Sequence, residues 1–252
     1  MKLNVVPART GFLWVKLGIR TFFQQPLALA GLFFMYMATV IMLAQIPVIG
    51  PLVAGLLMPA ASLGLMAATA EATKGRFPMP TVLISAFRAG RQRVRAMLVL
   101  GAIYTASSVL ITQLAALVTG GGEVVANQVN TATLLALALH APLFIMFWHA
   151  PALVHWHGVA PIKSLFFSTV ACLRNFGALT VYGLSWLVVY VGVISLFGLV
   201  GGLIGGAGMA QAMAVPTTVM VAAMMSTSLY FTFRDSFTAD PEPSPQPTGE
   251  LT

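Results

Sequence analysis

Four histidines are the side chains here best suited to chemistry, and His140, His149, His155 and His157 all fall within or just after one apolar stretch. Imidazoles gathered in this way could hold haem iron or another metal ion, or line a polar path. Haem held between two histidines needs them on facing helices, and one helix of one chain cannot supply both. On an unbroken helix His149 and His157 share a face but stand about 12 Å apart, too far for one ion unless Pro151 breaks the helix. The stretch His155-Trp156-His157 has the composition of a membrane–water interface, where amphipathic rings gather. Interfacial packing is the expectation, with His140 and His149 as candidates for lining a polar cavity and a haem- or metal-binding redox subunit as the remaining reading.

Other reactive groups are sparse. Met209 and Met213 lie one turn apart, with Met220, Met224 and Met225 further on, a spacing that suits soft Cu(I) but also ordinary core filling. The single cysteine, Cys172, excludes an internal disulfide and argues against structural zinc. Glu71 lies at the end of an apolar run and Glu123 in a connecting loop, so no carboxylate sits where a proton relay would need one. There is no pair of buried titratable groups, no Ser/His/Asp set, no phosphate-cradling loop and no His-Glu-x-x-His spacing. The expectation is a protein that is not an enzyme and has no cofactor and no metal site.

The elements that position these side chains follow from composition. Of 252 residues, 58% are hydrophobic and 8% charged, against about 25% charged in an ordinary soluble domain. The charges divide the chain into uncharged intervals at 21–70, 96–122, 124–162 and 175–233. Roughly 20 apolar residues cross a hydrocarbon core, so the first and last intervals hold two crossings each. Turns are marked by Gln45-Ile46-Pro47-Val48-Ile49-Gly50-Pro51 and by the glycine-rich run 198–208. That run reads either as a flexible hairpin or as a small-xxx-small seam that lets helices approach closely. Six spans result, at about 26–46, 51–71, 96–118, 132–154, 176–198 and 209–231.

All 13 lysines and arginines then fall on one side, which by the positive-inside rule is the cytoplasm. Both termini belong there too. The net charge of +7 is explained by orientation and by attraction to anionic head groups, so no nucleic-acid partner is expected. No cleavable signal peptide is expected either. The division is a six-helix membrane domain over 1–234 and an acidic, proline-rich tail over 235–252, expected to be disordered.

The spans are organised as a repeat. Ahead of span one, Arg9, Lys16 and Arg20 fall within roughly 20° of one helical direction, with Trp14, Val15, Gly18 and Phe22 opposite. Ahead of span three, Arg88, Arg91 and Arg95 oppose Leu83, Phe87, Gly90 and Val94. Ahead of span five, Pro161 opens a helix bearing Lys163 and Arg174. Each unit reads as an amphipathic cytoplasmic helix, an outward crossing and a return crossing containing proline. The fold class predicted is all-α, three helical hairpins in a pseudo-threefold bundle of parallel repeats.

Six cations, Arg9, Lys16, Arg20, Arg88, Arg91 and Arg95, are the candidates for lipid head groups. Gln45, Gln113, His140, His149 and Asn175 are candidates for a polar cavity. Pro59, Pro142, Pro151 and Pro216 are candidates for hinges or kinks, their freed carbonyls met by neighbours such as Ser62, Thr217 and Thr218. Two functions are carried forward. One is a non-enzymatic membrane protein that binds lipid, a membrane-protein partner or a second copy of itself. The other is a small-solute transporter or channel component.

These residues resemble an uncharacterised six-helix inner-membrane family of beta-proteobacteria, known by a locus-tag name. They are similar in look to YciC-like proteins and to the membrane domain attached to some bacterial glycerophosphodiester phosphodiesterases. The likeness rests on Val6-Pro7-Ala8-Arg9 with Gly11 and Trp14, then Arg20, Phe22 and Pro26. It continues with Pro47 and Gly50, Pro59 and Gly64, Ala150-Pro151-Ala152-Leu153, Gly158, Pro161, Ser168 and Asn175, covering about 6–234. Phe12 and Gln24-Gln25-Pro26 stand where tryptophan and Arg-Asn-Pro look more typical. The resemblance implies a multi-pass protein of the bacterial inner membrane, and the phosphodiesterase's catalytic domain has no counterpart here.

Overall fold

A computed structural model of the chain describes residues 2–120 and 130–238. It is all-helical apart from two short end strands. In order come β1 (Lys2–Leu3), α1 (Thr10–Gln24), α2 (Pro26–Ala44), α3 (Ile49–Thr73), a 3₁₀ helix (Pro80–Arg88) and α4 (Arg91–Val118). They are followed by α5 (Thr131–Phe147), α6 (Ala150–His157), α7 (Pro161–Arg174), α8 (Phe176–Ser236) and β2 (Phe237–Thr238). Five segments are long and apolar enough to cross a bilayer: α2, α3, α4, α5 with α6, and α8.

Local chemistry sets the boundaries. The residue before a proline is pushed out of helical conformation, so α1 stops before Gln25 and Pro26 opens α2 at a position where its missing N–H costs nothing. The α2–α3 turn bends through Val48 at φ 62°. Helix α4 begins at Arg91, earlier than the apolar window at 96, because hydropathy marks the bilayer and not the end of a helix.

One expectation is revised. The helix that was to carry Arg88, Arg91 and Arg95 along one side is not one element. Gly90, at φ 95°, turns the chain between the 3₁₀ helix and α4, so Arg88 stands apart from Arg91 and Arg95. The segment holding the spans expected at 176–198 and 209–231 is helical on both sides of a kink at Gly205 and Gly206, where the backbone is non-helical. Its two arms fold back on each other. The Tyr182 hydroxyl lies 2.6 Å from Ser228 Oγ, Trp186 Nε1 donates to Ser228 Oγ at 3.2 Å, and the Tyr190 hydroxyl lies 3.4 Å from Thr218 Oγ1. In a straight helix Tyr182 and Ser228 would stand about 70 Å apart.

Helix α1, the 3₁₀ helix and α7 are each seated on other helices. Helix α1 lies on α8, where Gly11 meets the Ala178 carbonyl and Gly18 meets the Ser228 side chain. The 3₁₀ helix lies on α3 at Gly64, where a methyl group would come within 2.7 Å of the Leu83 backbone. Helix α7 lies against α5 and α6 through Ser168. The 3₁₀ helix and α7 therefore rest on helices that precede them in the chain, and α1 rests on the last helix.

Of the four prolines expected as hinges, Pro59, Pro142 and Pro216 lie inside continuous helices. Only Pro151 adjoins a break, opening α6 after α5 has ended. Two cores result. One joins Trp14, Phe22, Tyr182, Trp186 and Phe231, and the other joins Leu63, Met97, Leu100, Leu153 and Phe233.

The glycine run of α8 can be tested directly. A Cβ on Gly201 would approach Met213 Sδ to 2.9 Å and Ala210 Cα to 3.0 Å, whereas one on Gly202 meets nothing within 4 Å. Gly201→Leu should destabilise the protein by roughly 1–3 kcal/mol, as overpacking does, and Gly202→Leu should stay within about 0.5 kcal/mol. Thermal unfolding in detergent measures both.

Candidate functional site

The two ends of the described chain are clamped together. Asn175, 2% exposed, accepts from the Val6 backbone N–H at 2.8 Å and donates to the Asn4 carbonyl at 3.0 Å and to Ser236 Oγ at 3.5 Å. This expected cavity residue therefore serves as a staple between the amino-terminal strand and α8. Beside it, fully buried Trp14 donates from Nε1 to Asp235 Oδ2 at 2.9 Å, and Arg234 holds the other oxygen at 2.8 Å. Lys2 pairs with Thr238 across β1 and β2. Residues 235–238, expected to begin the tail, thus belong to α8 and β2, and 239–252 lie outside the described residues.

The other polar candidates occupy separate places. Gln45 caps α2 and donates to the Ile41 carbonyl at 3.4 Å, and Gln113 is exposed on α4. His140 ties α5 to α4: its Nδ1 lies 2.8 Å from the Ala136 carbonyl and its Nε2 3.1 Å from Ser108 Oγ. A carbonyl only accepts, so Nδ1 donates to Ala136, and Nε2 faces a serine hydroxyl that can either donate or accept. His149 is 1% exposed, its ring centroid 5.9 Å from Phe233 and 5.5 Å from Phe237. His157 stacks near Phe233 at 5.8 Å. The structure brings His149 and His157 to one aromatic cluster but does not join them to Gln45, Gln113 or His140. Among the described residues, no three His, Cys, Asp or Glu side chains converge as metal ligands.

Pro151 leads to a residue whose role the sequence did not reveal. In a continuous helix the His149 N–H would bond the Ile145 carbonyl. Here Ser168 of α7 takes both groups, accepting from the His149 N–H at 3.0 Å and donating to the Ile145 carbonyl at 3.0 Å. The hydroxyl replaces the missing helix bond. The role expected for Thr218 is not seen, since its hydroxyl donates to Ala214 at 2.9 Å within its own turn. Cys172 lies one turn beyond Ser168, buried, and burial pushes its thiol up to about 12 against a smaller opposing pull from Ser168.

The cations form an exposed polar surface. Arg9, Lys16, Arg20, Arg88, Arg91 and Arg95 are all exposed, while the opposite face of α1 buries Gly11, Trp14, Val15, Gly18 and Phe22. Contacts gather these segments at one end of the bundle. Gln25 Nε2 donates to the Arg76 carbonyl at 3.2 Å, Trp156 stacks on Phe233 at 5.1 Å, and Asn175 joins residues 4, 6 and 236. The carboxylates among the described residues are Glu71 and Asp235, and arginine holds each: Arg76 reaches Glu71 at 2.6 Å and Arg234 reaches Asp235 at 2.8 Å. The six exposed cations therefore have no carboxylate partner among the described residues.

Long apolar helices with cations gathered at one end define a helical membrane protein. A protein of Burkholderia thailandensis named "Probable inner membrane protein BTH_II0599" is 37% identical over 256 residues, covering 94% of each chain. The chain belongs to the family of that probable inner membrane protein. No family model and no solved structure matches it.

Ser168→Ala should leave the buried His149 N–H unpaired, while the Ile145 carbonyl keeps the Trp148 N–H at 3.4 Å, and cost about 1–3 kcal/mol, read as a lower Tm in detergent. The raised Cys172 value means that the thiolate forms only near pH 12. In folded protein at pH 8, N-ethylmaleimide should leave it unmodified, and denaturation should expose it.

Proposed function

We propose that the chain is a six-crossing inner-membrane protein, both termini cytoplasmic, that acts without catalysis by holding anionic lipid at its cytoplasmic end. The observation that carries this reading is the surface of six exposed cations, beside which both described carboxylates are already engaged by arginine. Each basic residue near an anionic surface contributes about 1 kcal/mol. Such a surface is matched by a leaflet of acidic head groups.

The count of six rests on the clamp between the ends. A chain with five crossings would leave Lys2 and Thr238 on opposite sides of the bilayer, yet they are paired. Two passages by α8, reversing at Gly205 and Gly206, satisfy the pairing. The seating of the 3₁₀ helix and α7 on helices that precede them, and of α1 on the last helix, supports a pseudo-threefold arrangement of three hairpins. The likeness to YciC-like proteins and to the phosphodiesterase membrane domain is part of the same reading, for architecture alone.

Lipid extracted with the protein in polymer-bounded bilayer discs tests the function. The disc should be enriched in phosphatidylglycerol over the bulk membrane. Replacing Arg9, Lys16, Arg20, Arg91 and Arg95 together with glutamine should reduce that enrichment several-fold. Unchanged lipid composition in the variant would refute the reading.

A further inference from the structure

Three residues per turn stack the side chains of a 3₁₀ helix in columns, and here the columns differ in chemistry. Val82, Ser85 and Arg88 form one column and border a cleft of about 520 Å³ shared with Arg93 of α4, His155 of α6 and Glu71 of α3. Leu83 in the second column and Ile84 and Phe87 in the third border an apolar groove of about 240 Å³ against α2 and α3, near Tyr36 and Leu57. The helix thus divides a cleft of mixed lining, which holds the charged side chains, from an apolar groove.

The cleft carries uncompensated polarity. Glu71 is held by Arg76 at 2.6 Å and by Lys74 at 3.9 Å, leaving Arg88 and Arg93 with no carboxylate among the described residues. Ser85 Oγ and His155 Nδ1 are buried and make no hydrogen bond among the described residues. Such atoms are costly to leave unpaired. Two guanidiniums, a hydroxyl and an imidazole complement the oxygens of a phosphate group. On the groove side, Ile84 and Phe87 are exposed apolar side chains, suited to an acyl chain and not to water.

We propose that the 3₁₀ helix straddles a site for one phosphate-bearing lipid. Its phosphate is held in the cleft by Arg88 and Arg93 with the Ser85 hydroxyl, and an acyl chain lies in the groove beside Ile84 and Phe87. This assignment deepens the lipid reading above and rests on this end of the bundle facing the cytoplasmic leaflet. It adds Ser85, Arg93 and His155 to the surface of exposed cations, and it makes one lipid distinct from the general anionic shell. Gly64 is a positioning residue, since it lets the 3₁₀ helix lie close on α3.

Native mass spectrometry of the full chain in detergent, titrated with phosphatidylglycerol, phosphatidylcholine or inorganic phosphate, tests the site. One phosphatidylglycerol should bind more tightly than the rest. The double variant Arg88→Gln/Arg93→Gln should weaken that step about tenfold or more, and Lys163→Gln/Arg174→Gln, removing equal charge elsewhere, should leave it unchanged. Ser85→Ala, which keeps the fold and the charge, should weaken it several-fold. Equal losses in both double variants would overturn the discrete site while leaving the anionic-lipid reading intact. Inorganic phosphate binding as tightly as the lipid would overturn the assignment to a lipid. Absence of phosphatidylglycerol enrichment in bilayer discs of the unmodified protein would instead remove the broader reading.

Discussion

The described chain is closed between its first residues and residues 235–238, and the other features follow from that closure. Trp14, wholly buried, reaches Asp235 at 2.9 Å, and Asn175 joins the first residues to the last turn of α8. An indole N–H and an amide in apolar surroundings must find acceptors, and here the acceptors come from the far end of the sequence. Helix α1 cannot take another place without leaving both groups unpaired. Its seat on α8 accompanies the pairing of residues 2–3 with residues 237–238. In the six-crossing arrangement proposed above, that constraint is what requires an even number of crossings, with α8 reversing at Gly205 and Gly206.

The same accounting of polar groups explains the interior. Where water is absent, backbone groups freed by proline need partners inside the protein. Pro151 adjoins the one place where α5 and α6 separate, and Ser168 fills the gap from a neighbouring helix. Pro59, Pro142 and Pro216 sit in helices that run on through them. Charge is excluded from these regions and gathered at one end, where it is free to meet a head group, a partner protein or water.

Much of the architecture was legible in the sequence because hydropathy and charge are one-dimensional signals. Uncharged runs marked α2, α3, α4 and the α5–α6 segment within a few residues, and the spacing of Trp14, Val15, Gly18 and Phe22 marked the buried face of α1. What stayed hidden depended on contacts between distant residues. Asn175 and His149 read as cavity residues because a polar side chain near an apolar run looks alike whether it faces water or staples two segments. The 3₁₀ geometry was missed because Leu83, Phe87, Arg91 and Arg95 also fit a helix of 3.6 residues per turn, and only the positive φ at Gly90 separates the two. Ser168 lies outside the long apolar stretch, and no local pattern links it to Pro151.

Cysteine accessibility tests the central claim most directly. In a Cys172→Ala background, single cysteines at Ile204, beside the reversal of α8, and at Lys163, among the cations, can be treated with a membrane-impermeant maleimide in intact spheroplasts and in inverted vesicles. The account predicts modification at 204 only in spheroplasts and at 163 only in inverted vesicles. Modification of both positions from the same side would contradict it, because α8 would then not cross twice.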